Sequence, residues 1–280
     1  MKAYVVQSNK KIEPFGDSPR DCLIANRKLS EIQKQVLQSL GIELKAIPNA
    51  AQIDDPNEYI VLGDSLFFTK ELMKEFVNRS RRLKSCTTCA IKPGLVTLHS
   101  MVTTQEVKIH ANRVEYDLHY KPTQKLRGES VPVVIDAEQF SQVVPMPEHI
   151  RGTQPYCMPL TDILLIQVDH WNNLWAANMA TRLAEAARLM KAPKLKLLGL
   201  AIRARSPNKW RVLHHVNKIG KNCDIHPTAY IEGSDIGHNV IIGAGSVVRL
   251  SVIGDGSAIG SSTTIESSIL GEECTINSGC

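Results

Sequence analysis

Lys218-Ile219-Gly220-Lys221-Asn222-Cys223-Asp224-Ile225-His226-Pro227-Thr228-Ala229-Tyr230-Ile231-Glu232-Gly233-Ser234-Asp235-Ile236-Gly237 is the stretch that decides the fold of the chain's last quarter. Its aliphatic residues fall at Ile219, Ile225 and Ile231, in steps of six, and then at Ile236 after five. The same steps carry on through Ile242, Val248 and Ile253, then Ile259, Ile265 and Leu270, then Ile276, so the period is 17. Ile219-Gly220, Ile236-Gly237, Ile253-Gly254 and Leu270-Gly271 fall on that period, as do Ser234, Ser251 and Ser268. A fixed short period marks a solenoid, in which each repeat buries its apolar side only by stacking on the next. Steps of six exclude a helical face, which recurs at about 3.6. They fit a triangular coil of three short strands, with one aliphatic per side pointing inward. The corners need positive φ, which Gly, Asn and Asp supply.

Working outward, 280 residues are long for one domain and comfortable for two. The apolar content of 43% supports true cores, and the net charge of +5 permits anionic ligands without demanding nucleic acid. Met1 to Val6 holds no long apolar run of the signal-peptide kind, and no stretch approaches the ~18 apolar residues of a membrane span. The seven scattered cysteines read as free thiols of a cytoplasmic protein. Cys86 and Cys89 form a Cys-x-x-Cys with no second pair for zinc, and Cys86 to Ile91 reads as strand, so the pair reads as buried or incidental.

In chain order, Lys2 to Gln7 reads as a first strand and Ser8 to Arg20 as a loop. A helix follows, with apolar residues at Leu29, Ile32, Val36, Leu37 and Leu40, and Gly41 behind it as a C-cap. Ile42 to Ile47 and Tyr59 to Leu62 read as strands, and Leu66 to Val77 as a helix. Strands are also expected over Cys86 to Ile91, Leu95 to Val102, Glu106 to Ile109, Arg113 to Tyr120, Val131 to Ile135 and Ile163 to Val168. Val143 to Tyr156, with three prolines, reads as a loop, Leu174 to Met190 as an amphipathic helix, and 191–218 as a basic linker. This alternation of strands and helices is an α/β layered domain, whose ligands bind beyond the carboxyl ends of the strands. Asp64 and Asp169 both stand at such ends.

Three stretches resemble the sugar-1-phosphate nucleotidyltransferases. They are Pro19 to Gln33, Tyr59-Ile-Val-Leu-Gly-Asp64-Ser-Leu-Phe-Phe68, and Val168-Asp169-His-Trp-Asn-Asn-Leu-Trp-Ala-Ala-Asn178. The coil is the hexapeptide-repeat signature of left-handed parallel β-helices, which that family also carries in its bifunctional and regulated members. The resemblance implies a Rossmann-like nucleotidyltransferase-type α/β domain over 1–190, the basic linker over 191–218, and a left-handed β-helix over 219–280. The coil stops at Cys280 with an open end, which points to a fragment or to a partner subunit over that end. By the same resemblance the protein would take a nucleoside triphosphate and a sugar phosphate, use Mg²⁺, and form a homo-oligomer, a trimer, through the β-helix. Neither a membrane nor a nucleic acid is expected as a partner.

The implied chemistry explains two separated carboxylates. Charge builds on both phosphates during transfer, and a metal ion between them neutralises it. Asp64 and Asp169 would hold the metal, Arg20 would meet phosphate as the catalytic cation, and Lys10 and Lys11 would contact the nucleotide. Both aspartates also read as helix N-caps. The family's Gly-x-Gly-x-Arg-Met loop is missing, however. Strand one runs into Gln7-Ser8-Asn9-Lys10-Lys11-Ile12-Glu13-Pro14, with no glycine before Gly16. Lys10 and Lys11 supply charge there, but not the close backbone approach that glycine allows. Three readings stand: an active nucleotidyltransferase, a catalytically decayed regulatory or assembly subunit that binds a nucleotide sugar, and a hexapeptide-repeat acyltransferase with His226 or His238 as its base.

Overall fold

The computed structural model describes residues 1–123, 128–143, 157–191 and 217–280, together with residues 199 and 202. Val143, the first residue of the expected loop, ends a strand (Phe140–Val143), and the rest of that loop and most of the basic linker lie outside the described residues. The chain forms two compact units: Met1–Cys22 with Arg27–Ala177, and Leu23–Asn26 with Asn178–Cys280. The division therefore falls inside the helix Trp171–Met190, ahead of residue 190, and a short early segment joins the second unit. Among the described residues no helix is long and apolar enough to cross a membrane.

The first unit is built on a mixed, Rossmann-like sheet. Its strands are β1 (Lys2–Val6), β4 (Glu43–Ile47), β5 (Tyr59–Gly63), β7 (Thr87–Ile91), β8 (Lys108–His110), β9 (Arg113–Lys121) and β10 (Val131–Ile135), and the short strands β2 (Leu23–Ile24), β3 (Arg27–Lys28), β11 (Phe140–Val143) and β12 (Cys157–Leu160) are not part of it. They lie in the order β10-β7-β9-β5-β1-β4, with β8 on β9. β1 is parallel to both β4 and β5, while β9 runs antiparallel between β5 and β7. Ala3, Val5, Ile60, Leu62, Leu118 and Tyr120 share one buried cluster with Leu37 of α1 (Leu29–Ser39) and with Leu72, Met73 and Phe76 of α2 (Lys70–Leu83). α1 ends where expected: Gly41 takes φ +70°, and Ile42 N–H bonds Leu37 O. Such a φ suits glycine, which has no Cβ to clash.

Two sequence readings need correction. Leu66 to Val77 is not one helix. Leu66–Phe68 is a strand, β6, antiparallel to β13 (Leu165–Gln167), and α2 begins only at Lys70. All three residues of β6 are buried, so the run has no wet face to show a helical period. The Thr69 hydroxyl marks the break, donating to Asp162 O (2.7 Å) and accepting from Leu164 N (3.0 Å). Leu95 to Val102 is not a strand but a short helix, α3 (Leu95–His99), followed by a 3-10 turn. Thr97 Oγ1 accepts from Gly94 N at 2.9 Å, and the Glu138 carboxylate takes the Leu95 N–H, so the first turn's free donors are satisfied locally. Cys86 and Cys89 are both buried, and all seven cysteines are free.

The second unit contains the parallel β-helix. One face stacks Lys218–Ile219, Asp235–Ile236, Val252–Ile253 and Ile269–Leu270. A second stacks Asp224–Ile225, Ile241–Ile242, Ala258–Ile259 and Thr275–Ile276. The third stacks Tyr230–Glu232, Val247–Arg249 and Thr264–Glu266. The registers pair residues 17 apart, such as Ile219↔Ile236 and Ile236↔Ile253. Ile231, Ile236, Ile242, Val248, Ile253, Ile259 and Ile265 make the core. The Ile-Gly pairs have a steric cause: a Cβ at Gly254 would press on the Gly271 backbone and lie 2.6 Å from Glu272 N.

The corners carry positive φ at Asn222, Asn239, Gly256 and Glu273, at Gly233, Leu250 and Ser267, and at Gly245, Ser262 and Gly279. Leu250, Ser262, Ser267 and Glu273 are beyond the Gly, Asn and Asp that the sequence reading named. Hydrogen bonds to the preceding coil hold these corners in the left-handed region: Leu250 N bonds Glu232 O, Ser267 N bonds Arg249 O and Glu273 N bonds Asp255 O.

In the same unit, one outward-facing side of the coil is covered. Asp235 is 6% exposed and receives Arg182 (3.1 Å) and Asn26 (3.2 Å). Burial pushes its carboxyl pKa upward, against the pull of Arg182 and Lys218. Ala25 and Asn26 are two successive left-handed residues, and Asn178 clips their turn by bonding Ala25 N and Leu23 O.

Candidate functional site around the loop after β1

β1 and β5 are parallel with Val6 opposite Gly63, so their carboxyl ends deliver Ser8 and Asp64 to the same place. Asp64 N bonds Val6 O, and the buried Gln33 amide of α1 donates to Leu66 O at 2.8 Å, fixing the turn. A Cβ at Gly63 would lie 2.8 Å from Oδ2 of the exposed Asp117 side chain of β9, which would have to swing aside. The Asp64 carboxylate is 2% exposed. Its Oδ2 accepts from Ser8 N and its Oδ1 from Ser8 Oγ, both at 2.9 Å.

The β6–β13 pair brings in the second carboxylate. Val168 N continues that pairing onto Ser65 O at 2.8 Å, so Asp169 follows directly beside the turn that holds Asp64. Asp169 Oδ2 accepts from Glu106 N and from Gln167 Nε2, both at 2.8 Å. Its Oδ1 is buried with no hydrogen-bond donor and lies 3.6 Å from Lys10 Nζ. Lys10 Nζ is also 2.5 Å from Glu106 Oε2. Burial alone would lower the Lys10 pKa, but the Glu106 hydrogen bond and the attraction of Asp169 outweigh it and the pKa rises. The ammonium therefore stays charged. Further along the same loop, Glu13 pairs with His170 in an isolated bridge.

The structure thus gathers Lys10, Asp64 and Asp169 along one loop and adds three residues that sequence reasoning missed: Ser8, Glu106 and Gln167. Gln167 carried a signal, as a polar residue inside an otherwise apolar strand. Ser8 and Glu106 carried none. Arg20 sits on a one-turn 3-10 helix (Pro19–Asp21), 43% exposed, with its Nε 3.6 Å from Asp21 Oδ2. Lys11 is exposed. Among the described residues, no hydrogen bond or ion pair ties either one to the two carboxylates. His226 Nδ1 bonds its own turn at Thr228 Oγ1 (2.8 Å), and His238 Nδ1 accepts from Lys221 N (2.8 Å). A cavity lined by Met1, Gly41, Lys74, Val77 and Arg81 lies at the opposite end of β1, away from this cluster.

These residues, as arranged, do not fit Mg²⁺. A magnesium ion takes carboxylate oxygens directly, yet Ser8 holds both Asp64 oxygens and an ammonium faces the one free oxygen of Asp169. Among the described residues no three His, Cys, Asp or Glu side chains cluster as a metal site.

A Rossmann-like mixed sheet in the first unit and a parallel β-helix in the second define the class of protein. Residues 211–280 match the family model described as the GMPPB C-terminal domain. That quarter of the chain is thereby placed with the β-helix domain of the sugar-phosphate nucleotidyltransferases. No curated protein matches the chain.

Proposed function

We propose that this chain is a nucleotidyltransferase-fold protein of sugar-nucleotide metabolism that binds a nucleotide or nucleotide sugar without transferring the nucleotidyl group. Its β-helix would assemble it into a homo-oligomer. The match over residues 211–280 supports the metabolic setting. The observation that carries the loss of transfer is Ser8 on Asp64. Backbone amide and hydroxyl together take both oxygens of the carboxylate that the resemblance assigns to metal. The loop that does this lacks the glycines that would let its backbone cradle phosphates. Nucleotide sugars titrated into the protein should give heat of binding, while a nucleoside triphosphate, a sugar 1-phosphate and Mg²⁺ should yield no pyrophosphate. Pyrophosphate release that disappears in Asp169→Asn would overturn this reading.

One observation favours the alternative, an active transferase. Asp169 Oδ1 is buried without a donor, and a buried acceptor in that state calls for a cation or water. In that reading Asp169 would take Mg²⁺ only once the Lys10 ammonium had moved off its Oδ1, and the nucleoside triphosphate and sugar phosphate would be the substrates.

A further inference from the structure

Two carboxylates meet the end of Lys10, and a third oxygen-bearing side chain, Gln167, holds one of them in place. Glu106 Oε2 is in contact with its Nζ, and Asp169 Oδ1 lies across from it. Gln167 packs its amide on the far side of the Asp169 carboxylate and donates to Glu106 O at 3.1 Å. Two acceptor oxygens here, Asp169 Oδ1 and Gln167 Oε1, are buried and receive no hydrogen bond. Asp169 is 94% withdrawn from solvent, with 6% of its side chain exposed. Unpaired buried acceptors beside a carboxylate are the surroundings of a hard cation. What faces the Asp169 oxygen is an ammonium on a flexible stem, from the loop after β1.

We propose that Lys10 is a built-in counter-cation: its ammonium occupies the seat formed by Glu106 and by the Asp169 carboxylate that Gln167 holds, so that the native chain has no affinity for a divalent cation there. Electrostatics supports the exchange. One ammonium against two carboxylates leaves the seat with a net negative charge, and Coulomb attraction at such distances is strong wherever water is partly excluded. Removing the lysine leaves the buried Asp169 carboxylate facing the exposed Glu106 with no cation between them, a state that a divalent ion relieves. The inference concerns the free protein and does not depend on whether a nucleotide sugar binds.

The test uses Mn²⁺ alone, with no nucleotide present, and reads bound against free metal by paramagnetic resonance on the full chain. Native protein should show no saturable Mn²⁺ binding, and Lys10→Arg, which keeps a cation in place, should behave the same. Lys10→Ala should acquire one Mn²⁺ per chain, at least ~10-fold tighter than any native binding. Adding Asp169→Asn to it should abolish that site. Should the alanine variant fail to fold by circular dichroism, Lys10→Met keeps the aliphatic stem and carries the same expectation. Native protein that binds Mn²⁺ as tightly as the lysine-free variant would overturn the proposal. So would a folded lysine-free variant that gains no site.

Discussion

The β-helix and the loop after β1 solve one problem, the satisfaction of buried polar groups, in opposite ways. In the coil the answer repeats. Ser234 Oγ accepts from Ser251 N and Ser251 Oγ from Ser268 N, so a serine ladder climbs the corner at intervals of 17, its first two members fully buried. Ser246 with Thr263 N, and Ser257 with Cys274 N, begin two more. Every rung has the same neighbours, so one lost hydroxyl leaves the design of the others untouched. In the loop nothing repeats. Ser8 reaches Asp64 across 56 residues, and Lys10 reaches Glu106 across 96. Each contact is made once, between groups with no substitute. Order in the coil comes from periodicity, and order in the loop from a few long-range bonds. A coil is therefore broken by steric insult to its spacing, and the loop by deleting one partner.

The largest break expected is Gly254→Ala. The added Cβ would press on the Gly271 backbone, which cannot move without unstacking the coil. Overpacking against backbone costs about 3 kcal/mol, to be read as a lowered denaturant midpoint by circular dichroism. Gly271→Ala meets nothing within 4 Å and should stay within about 0.5 kcal/mol of the parent. Equal losses in the two variants would remove the steric account of the Ile-Gly pairs.

The loop should break through a smaller change. Ser8→Ala keeps the backbone donor to Asp64 Oδ2 but strips the hydroxyl from Oδ1 inside a site 2% exposed. A buried charged acceptor left unsatisfied costs about 2 kcal/mol, visible as a lower thermal midpoint of the first unit. The β-helix transition should not move, because Ser8 belongs to the other compact unit. A shift of both transitions together would contradict the separation drawn here.

Legibility in the sequence followed the same divide. Inward residues of the coil, its period and its Ile-Gly pairs could be read directly, because one rule fixes eleven positions at once. Corners such as Leu250 and Glu273 could not, since their positive φ is imposed by the coil beneath and not by the residue. The carboxylates Asp64 and Asp169 were readable as strand ends. Their partners were not, because hydrogen bonds spanning 56 or 63 residues leave no local pattern. Leu66–Phe68 and Leu95–His99 misled for a related reason. Full burial erases the helical period of one, and a side-chain cap at Thr97 overrides the β-leaning composition of the other.

The smallest effect, and the sharpest probe of a contact made only once, lies at Asp55. Its carboxyl accepts from Asn57 N at 3.0 Å and pairs with Lys2 Nζ at 3.0 Å, with the Tyr4 hydroxyl also at 3.0 Å. The Asn57 N–H foremost, and then Lys2, lower its pKa from 3.8 to about 2. A carboxyl whose pKa is lower folded than unfolded binds fewer protons in the folded state. Its contribution is therefore present above pH 3.8 and is lost as the pH falls through about 2. In Asp55→Asn the side-chain oxygen can still accept from Asn57 N, but the group no longer titrates. Stability at neutral pH should fall, because the contribution of the charged carboxyl is gone, and its further fall between pH 3.8 and about 2 becomes shallower than in the parent. Thermal midpoints measured across that window decide the point. If parent and variant fall in parallel, the acid sensitivity belongs to the other carboxyls held low in this unit, at Glu58, Glu115 and Asp136.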